Sequence, residues 1–389
     1  MDTIDQKYAP LSAADCFQEA LLVTVGASKL FRVYSNPGKS PVLFVFHHGA
    51  GYSALSAACL ARELREQGGG QYGFLSFDCR AHGASQVESE DSGPPDLSLS
   101  TLANDLVDLL KTIYPDKTLA PAIVLVGHSM GGAVVTEACA GIQTHVGKVL
   151  GLVILDVVEG SALSALISMM PLINSRPSSF SSQAECIKYH LDSHTIRNLA
   201  SARISVPSLI RKATSNTTTT ASVPDPGDEA SAEGDRFEWI TDLRSSQPYW
   251  EGLSSLSCSS NPLSKKTSDV LRLKALNHLL SGWYRGLSSK FLSQKTARLL
   301  VLAGTDRLDK ELMIGQMQGK YQLSVLPNVG HCVHEDDPEK LASLLIGFAE
   351  RNDHSSSDEI LARLGKKPLQ KLPHPSPSPG GGASHPQHQ

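Results

Sequence analysis

The residues best suited to covalent chemistry are Gly127-His128-Ser129-Met130-Gly131-Gly132. A serine hydroxyl is a poor nucleophile at neutral pH. It becomes useful when a base removes its proton and backbone donors receive the charge of an attacked carbonyl. Glycines two positions either side of Ser129 leave room for the strained turn that lifts such a serine clear of a sheet. The best base is His331, in Leu326-Pro-Asn-Val-Gly330-His331, directly after an apolar run; His334 is a weak rival three residues on. The acid should lie between serine and histidine in chain order. Asp156 and Asp306 both qualify, since each ends an apolar run. The later position favours Asp306, the neighbouring Arg307 competes for its carboxylate, and the pattern leaves the two even. For the oxyanion, the N–H of Met130 and one from His48-Gly49-Ala50-Gly51, best Ala50, are the candidate donors. The rim segment Asp78-Cys-Arg-Ala-His82-Gly83 reads as a turn held by a local Asp78–Arg80 pair. His47-His48 and His331-x-x-His334 lack a third ligand at a recognisable spacing, so neither metal nor other cofactor is expected.

The elements that must position these groups are legible from periodicity. Ala122-Ile-Val-Leu-Val runs into the serine turn as a buried strand, and the small residues from Gly132 to Ala140 suit a closely packed helix. Phe31–Tyr34, Pro41–Phe46, Gly73–Asp78 and Val149–Asp156 are further strands. Helices are expected over Ala54–Gln67 and Ser100–Tyr114, the latter capped by Ser100 or Thr101. This alternation predicts an α/β fold, a mostly parallel sheet with helices on both faces, and ligands at the C-terminal strand ends. From 157 to about 290 the rhythm is lost. Short helices, including Ala184–Leu191 and Thr195–Ser201, read as an inserted helical cap, interrupted by low-complexity sequence at 214–236. Strands return at Ala297–Gly304 and Tyr321–Leu326, and Pro338–Arg351 closes a single domain spanning 1–351. The Ser-, Pro-, Gly- and His-rich residues 352–389 read as a disordered tail.

Composition narrows the classes. A net charge of −4 gives no basic field for nucleic acid. No apolar run approaches the roughly 18 residues of a membrane span, and the N-terminus lacks signal-peptide character. Seven scattered cysteines, with no Cys-x-x-Cys pair, fit a reducing compartment, cytoplasm or nucleus.

Several longer segments carry a resemblance. They are His48-Gly-Ala-Gly-Tyr-Ser53, Asp78-x-Arg-x-His-Gly83, Asp156-Val-Val-Glu-Gly160, Ile196-Arg-Asn-Leu-x-Ser-Ala-Arg203, Gly315-Gln-Met-Gln-Gly-Lys320 and Gly330-His-x-Val-His-Glu335. On these, from about residue 8 to 350, the chain resembles the protein phosphatase methylesterases, α/β-hydrolases that demethylate the C-terminal leucine of the protein phosphatase 2A catalytic subunit. The resemblance implies a Ser129–His331–Asp156 triad with an acyl-enzyme, since the family's acid lies in Asp-Val-Val-Glu-Gly. It also implies that Arg203 in the cap guides the phosphatase tail. The readings it competes with are another esterase or lipase, or an inactive phosphatase-binding homologue. One departure stands out: the family's compact aromatic segment is split here, Tyr249-Trp250 from Trp283-Tyr284, by residues 252–282. That stretch reads as a retained intron or a lineage-specific loop.

Overall fold

A computed structural model describes residues 4–87, 94–213, 235–251, 282–304 and 308–353. Its strands are β1 (Glu19–Val25), β2 (Lys29–Asn36), β3 (Val42–His47), β4 (Gly73–Phe77), β5 (Gln86–Val87), β6 (Ala122–His128), β7 (Val149–Leu155), β8 (Ile210–Lys212), β9 (Phe237–Trp239), β10 (Ala297–Leu302) and β11 (Gln322–Val325). The main sheet has the order β1-β2-β4-β3-β6-β7-β10-β11, with β5 paired to β2. From β4 to β11 all neighbours are parallel, whereas β1, β2 and β4 meet antiparallel.

Every residue of β3, β4, β6 and β7 is buried. A sheet covered on both faces demands such unbroken apolar runs. The strand period then sorts the side chains. Phe44, Phe46, Val124 and Val126 pack with Leu60 and Leu64 of the helix Ala58–Gln67 and with Leu345 and Phe348 of the helix Pro338–Asn352. Val45, Ile123 and Leu125 pack on the opposite face with Leu106 and Leu110 of Leu99–Ile113 and with Val134 of Met130–His145.

Boundaries differ from expectation where local signals compete. The first helix begins as a 3₁₀ turn, Ala54–Ala57, before Ala58–Gln67. The next is capped by Ser98, whose Oγ accepts the Thr101 N–H at 3.4 Å, instead of by Ser100 or Thr101. Strand β1 has no counterpart in the sequence reading. After β7 the chain builds a cap from the helices Glu159–Leu166, Met169–Ser175, Gln183–Asp192 and Leu199–Ser205, the β8–β9 hairpin, Gln247–Glu251 and Leu287–Ser293. The helix expected at 195–201 starts instead at Leu199, because Asn198 Oδ1 accepts the N–H groups of Ala200 and Ser201 at 3.0 and 3.2 Å.

Apart from their ends, the low-complexity segment, the 252–282 insert and the tail lie outside the described residues, as does Asp306. The flanks of the insert meet: the Trp283 N–H donates to the Tyr249 carbonyl at 3.0 Å. The two halves of the split aromatic segment are thus adjacent in space. Among the described residues no helix is long and apolar enough to cross a membrane.

Candidate active site

Strand β6 ends at His128, and the helix Met130–His145 starts immediately after Ser129. The turn holds Ser129 at φ 51°, ψ −118°, a conformation that costs a non-glycine residue about 1–3 kcal/mol. The surroundings enforce it. Ser129 donates its N–H to the Leu155 carbonyl at 3.1 Å, and its own carbonyl accepts the Gly132 N–H at 2.8 Å. A Cβ on Gly131 would sit 2.1 Å from the His47 carbonyl oxygen, so glycine is a packing requirement there.

One strand over, Asp156 follows β7 with φ 49°. Its N–H donates to the Val301 carbonyl at 2.8 Å, and its Oδ1 accepts the Ala303 N–H at 2.9 Å. Anchored at both ends to β10 and its exit, the carboxylate turns Oδ2 to His331 Nδ1 at 2.8 Å. The Asp156 side chain is fully buried, while the imidazole is 44% exposed. A carboxylate on Nδ1 places the ring proton there and leaves Nε2 as the basic nitrogen. His331 is held from behind as well, since its carbonyl accepts from His128 Nε2 at 3.0 Å. Among the described residues, Asp156 is the carboxylate joined to His331. Tyr284, a neighbour the sequence reading left without a role, lies close enough to act on the Ser129 side chain.

Met130 is buried as the first residue of its helix, where backbone N–H groups have no partner within the helix. Ala50 lines the cavity in front of Ser129. The loop that carries Ala50 rests on two histidines. His82 Nε2 accepts the Gly51 N–H at 2.9 Å, and its Nδ1 donates to the Arg80 carbonyl at 2.8 Å. His48 Nε2 accepts the Cys79 N–H at 3.0 Å, and its Nδ1 donates to the Gly49 carbonyl at 2.8 Å. Burial holds both imidazoles neutral, His82 down to about 4 and His48 well below the ordinary range. His48, Cys79 and His82 bring their ligand atoms within 4.8 Å of one another. All four ring nitrogens nevertheless already serve the backbone, and burial pushes the Cys79 thiol well up. The donor set therefore fits a loop scaffold better than a metal site.

Two expectations are corrected. Asp78 does not pair with Arg80. Its carboxylate accepts the N–H groups of Ala54 and Ala84 at 2.7 and 2.8 Å, and Arg80 forms a two-pronged pair with Asp105 at 2.8 and 3.0 Å. Arg203 does not line the cavity. Its Nε donates to the Ala9 carbonyl at 2.5 Å and its carbonyl accepts the Leu11 N–H at 2.9 Å, so it pins the N-terminal segment against the cap. The cation facing the cavity is Arg176. Nothing in the local sequence separates the two arginines; only the folded cap does.

The cavity has a volume of about 340 Å³. Ser129 and His331 lie in its lining, below Trp250, Trp283 and Tyr284 of the cap. Trp283 is fixed by its Nε1–H on the Leu97 carbonyl at 2.7 Å, and Trp250 by its Nε1–H on Ser246 Oγ at 2.9 Å.

Residues 44–344 match the alpha/beta hydrolase family. Among curated relatives, protein phosphatase methylesterase 1 of Cryptococcus neoformans var. neoformans serotype D (strain JEC21 / ATCC MYA-565) is 39% identical over 89% of this chain and 79% of its own. The enzymes of that name from Aspergillus fumigatus and Yarrowia lipolytica are 42% and 38% identical, covering 89% and 90% of this chain and 73% and 74% of theirs. Among solved structures, E-2-(acetamidomethylene)succinate hydrolase aligns with a TM-score of 0.56 at 17% identity, over 85% of this chain and 99% of its own. At that identity it speaks for the fold alone. A sheet of this order, a serine on the turn after β6 and relatives this similar over most of their length place the chain in the protein phosphatase methylesterase 1 family of α/β-hydrolases.

Proposed function

We propose that this carboxylic ester hydrolase removes the methyl ester from the C-terminal leucine of the protein phosphatase 2A catalytic subunit. The observation that carries the reading is the 2.8 Å contact between His331 Nδ1 and Asp156 Oδ2 beside a serine on a strained turn, in a chain whose relatives bear the methylesterase name.

In this mechanism Ser129 Oγ turns to His331 Nε2, which takes its proton as Oγ attacks the ester carbonyl; contacts that are loose without substrate commonly tighten when it binds. The oxyanion forms against the N–H groups of Met130 and Ala50. Asp156 stabilises the imidazolium without taking its proton. Collapse breaks the bond to the methoxy oxygen, which leaves as methanol with the proton from His331. A water then gives its proton to His331 and attacks the acyl carbon. The second collapse returns the proton to Ser129 Oγ and frees the carboxylate.

The test is demethylation of the carboxymethylated phosphatase 2A catalytic subunit by the wild type and by Ser129→Ala. The expected result is methyl loss with the wild type and none with the variant. Rapid turnover of simple lipid esters with no demethylation would favour a general esterase. Binding of the phosphatase without turnover would favour an inactive binding homologue.

A further inference from the structure

The cavity above Ser129 holds a positive charge that ester hydrolysis does not use. Arg176 follows the helix Met169–Ser175 and precedes Pro177, which keeps it in extended backbone at φ −67°, ψ 142°. Its guanidinium lies over the Trp239 ring, 3.6 Å from the centroid. That ring is a built shelf: Trp239 Nε1–H donates to the Pro177 carbonyl at 2.8 Å, and the Phe180 and His190 rings pack edge-to-face with it, centroid to centroid 5.2 and 5.7 Å. Arg176 is half-buried, and burial lowers its pKa below the ordinary guanidinium range. Among the described residues it has no carboxylate within ion-pair distance, and none lining the cavity is Asp or Glu. Besides burial, the groups that act on it are Tyr189, Tyr52 and Cys186, none a carboxylate, and Arg244, which repels it.

A guanidinium with one face stacked keeps its N–H fork free at the edge, and the fork matches a planar oxyanion. The rest of the wall is mostly aromatic and aliphatic, with serine, threonine and histidine side chains but no second Lys or Arg among the described residues, so a monoanion balances the charge, whereas a phosphate dianion would leave one charge over. The methyl group departs in the reaction, so the acyl side of the substrate must extend through the cavity. We propose that Arg176 binds a carboxylate carried by that acyl portion, an acidic side chain shortly upstream of the esterified residue. This rests on the esterase reading and adds to it the chemical class of substrate the site selects.

The experiment compares methyl esters of short leucine-ended peptides with Asp or Asn placed one, two or three residues before the ester. The wild type should favour the Asp peptide about tenfold in kcat/KM in at least one position, the size of a charge-assisted hydrogen bond. The preference should shrink as salt is raised. Arg176→Gln should remove it, and Arg176→Glu should favour a lysine peptide instead. Equal kcat/KM for Asp and Asn at all three positions in the wild type, which needs no variant to fold, would overturn the inference. So would an Asp preference that survives Arg176→Gln. In parallel, fluorescence anisotropy of the same peptides on Ser129→Ala separates the two claims. If no ester is hydrolysed, the esterase reading fails, and about tenfold tighter binding of the Asp peptide, lost on adding Arg176→Gln, still supports the inference. Equal affinities of the Asp and Asn peptides would contradict it.

Discussion

The ends of the parallel strands and the cap above them solve different problems with different materials. Ser129 and Asp156 sit at φ 51° and 49° on strands buried along their whole length, so neighbouring backbone fixes each before any substrate arrives. The cap is built from helices of five to ten residues that could not persist alone. Its order comes from aromatic anchors such as Trp283 on the Leu97 carbonyl and Trp239 on that of Pro177. The lesson is a division of labour. The proposed chemistry rests on the ends of rigid interior strands, and the proposed choice of substrate on a surface that short helices can rearrange.

The largest expected effect strikes the first region. Asp156→Asn keeps the shape but allows the wrong histidine tautomer, so turnover should fall about ten-thousandfold. Steady-state hydrolysis of a methyl-ester peptide reads this directly, and a loss below tenfold would return the role to another acid. Next comes Gly131→Ala, whose new Cβ meets the His47 carbonyl oxygen at 2.1 Å. A clash with backbone cannot be relieved by a rotamer, so a loss of more than about 4 kcal/mol is expected. Denaturant unfolding measures it, and a near-neutral result would mean that the turn is less constrained than its packing implies.

The effect that is smallest per step of the variable tests the joint between the regions. Ser205 of the cap donates Oγ–H to Glu335 Oε1 at 2.5 Å, four residues after His331. Burial raises the Glu335 carboxyl to about 8. Because the folded state holds this proton more tightly than the unfolded chain, its stabilising contribution is full below about pH 4.5 and is lost as pH rises toward 8. Glu335→Gln removes that loss, so its stability relative to wild type should rise across this window by up to about 1.4 kcal/mol per pH unit. Buried histidines work in the opposite direction. His47 and His82 are lowered to about 4 and His334 to about 3, so each costs stability as pH falls below 6.5. Parallel pH profiles for wild type and Glu335→Gln would contradict the joint as described.

The same contrast explains what could be read before folding. Strands β3, β4, β6 and β7 announced themselves because both faces are covered. Strand β1 did not: it lies at the sheet edge, and Leu21 and Leu22 are 41% and 49% exposed. Ser100 and Thr101 were the caps the sequence offered, and the helix begins earlier, at Leu99 behind Ser98. The choice between Asp156 and Asp306 was closed to residue-by-residue reading, since both close apolar runs in the sequence. What supports Asp156 is three-dimensional, an Ala303 N–H on one oxygen and His331 on the other. The cap was hardest. Which arginine faces the cavity is set by which finds Trp239 and which finds the Ala9 carbonyl, and no local pattern encodes that.

The central claim, that Ser129 is the nucleophile activated by His331 and Asp156, is tested most directly by covalent capture. A fluorophosphonate ester should form one stoichiometric adduct, mapped by peptide mass to Ser129, with methyl-ester turnover falling in proportion. Labelling should slow steeply in Asp156→Asn. An adduct at any other residue, or full modification of Ser129 with turnover undiminished, would contradict the account.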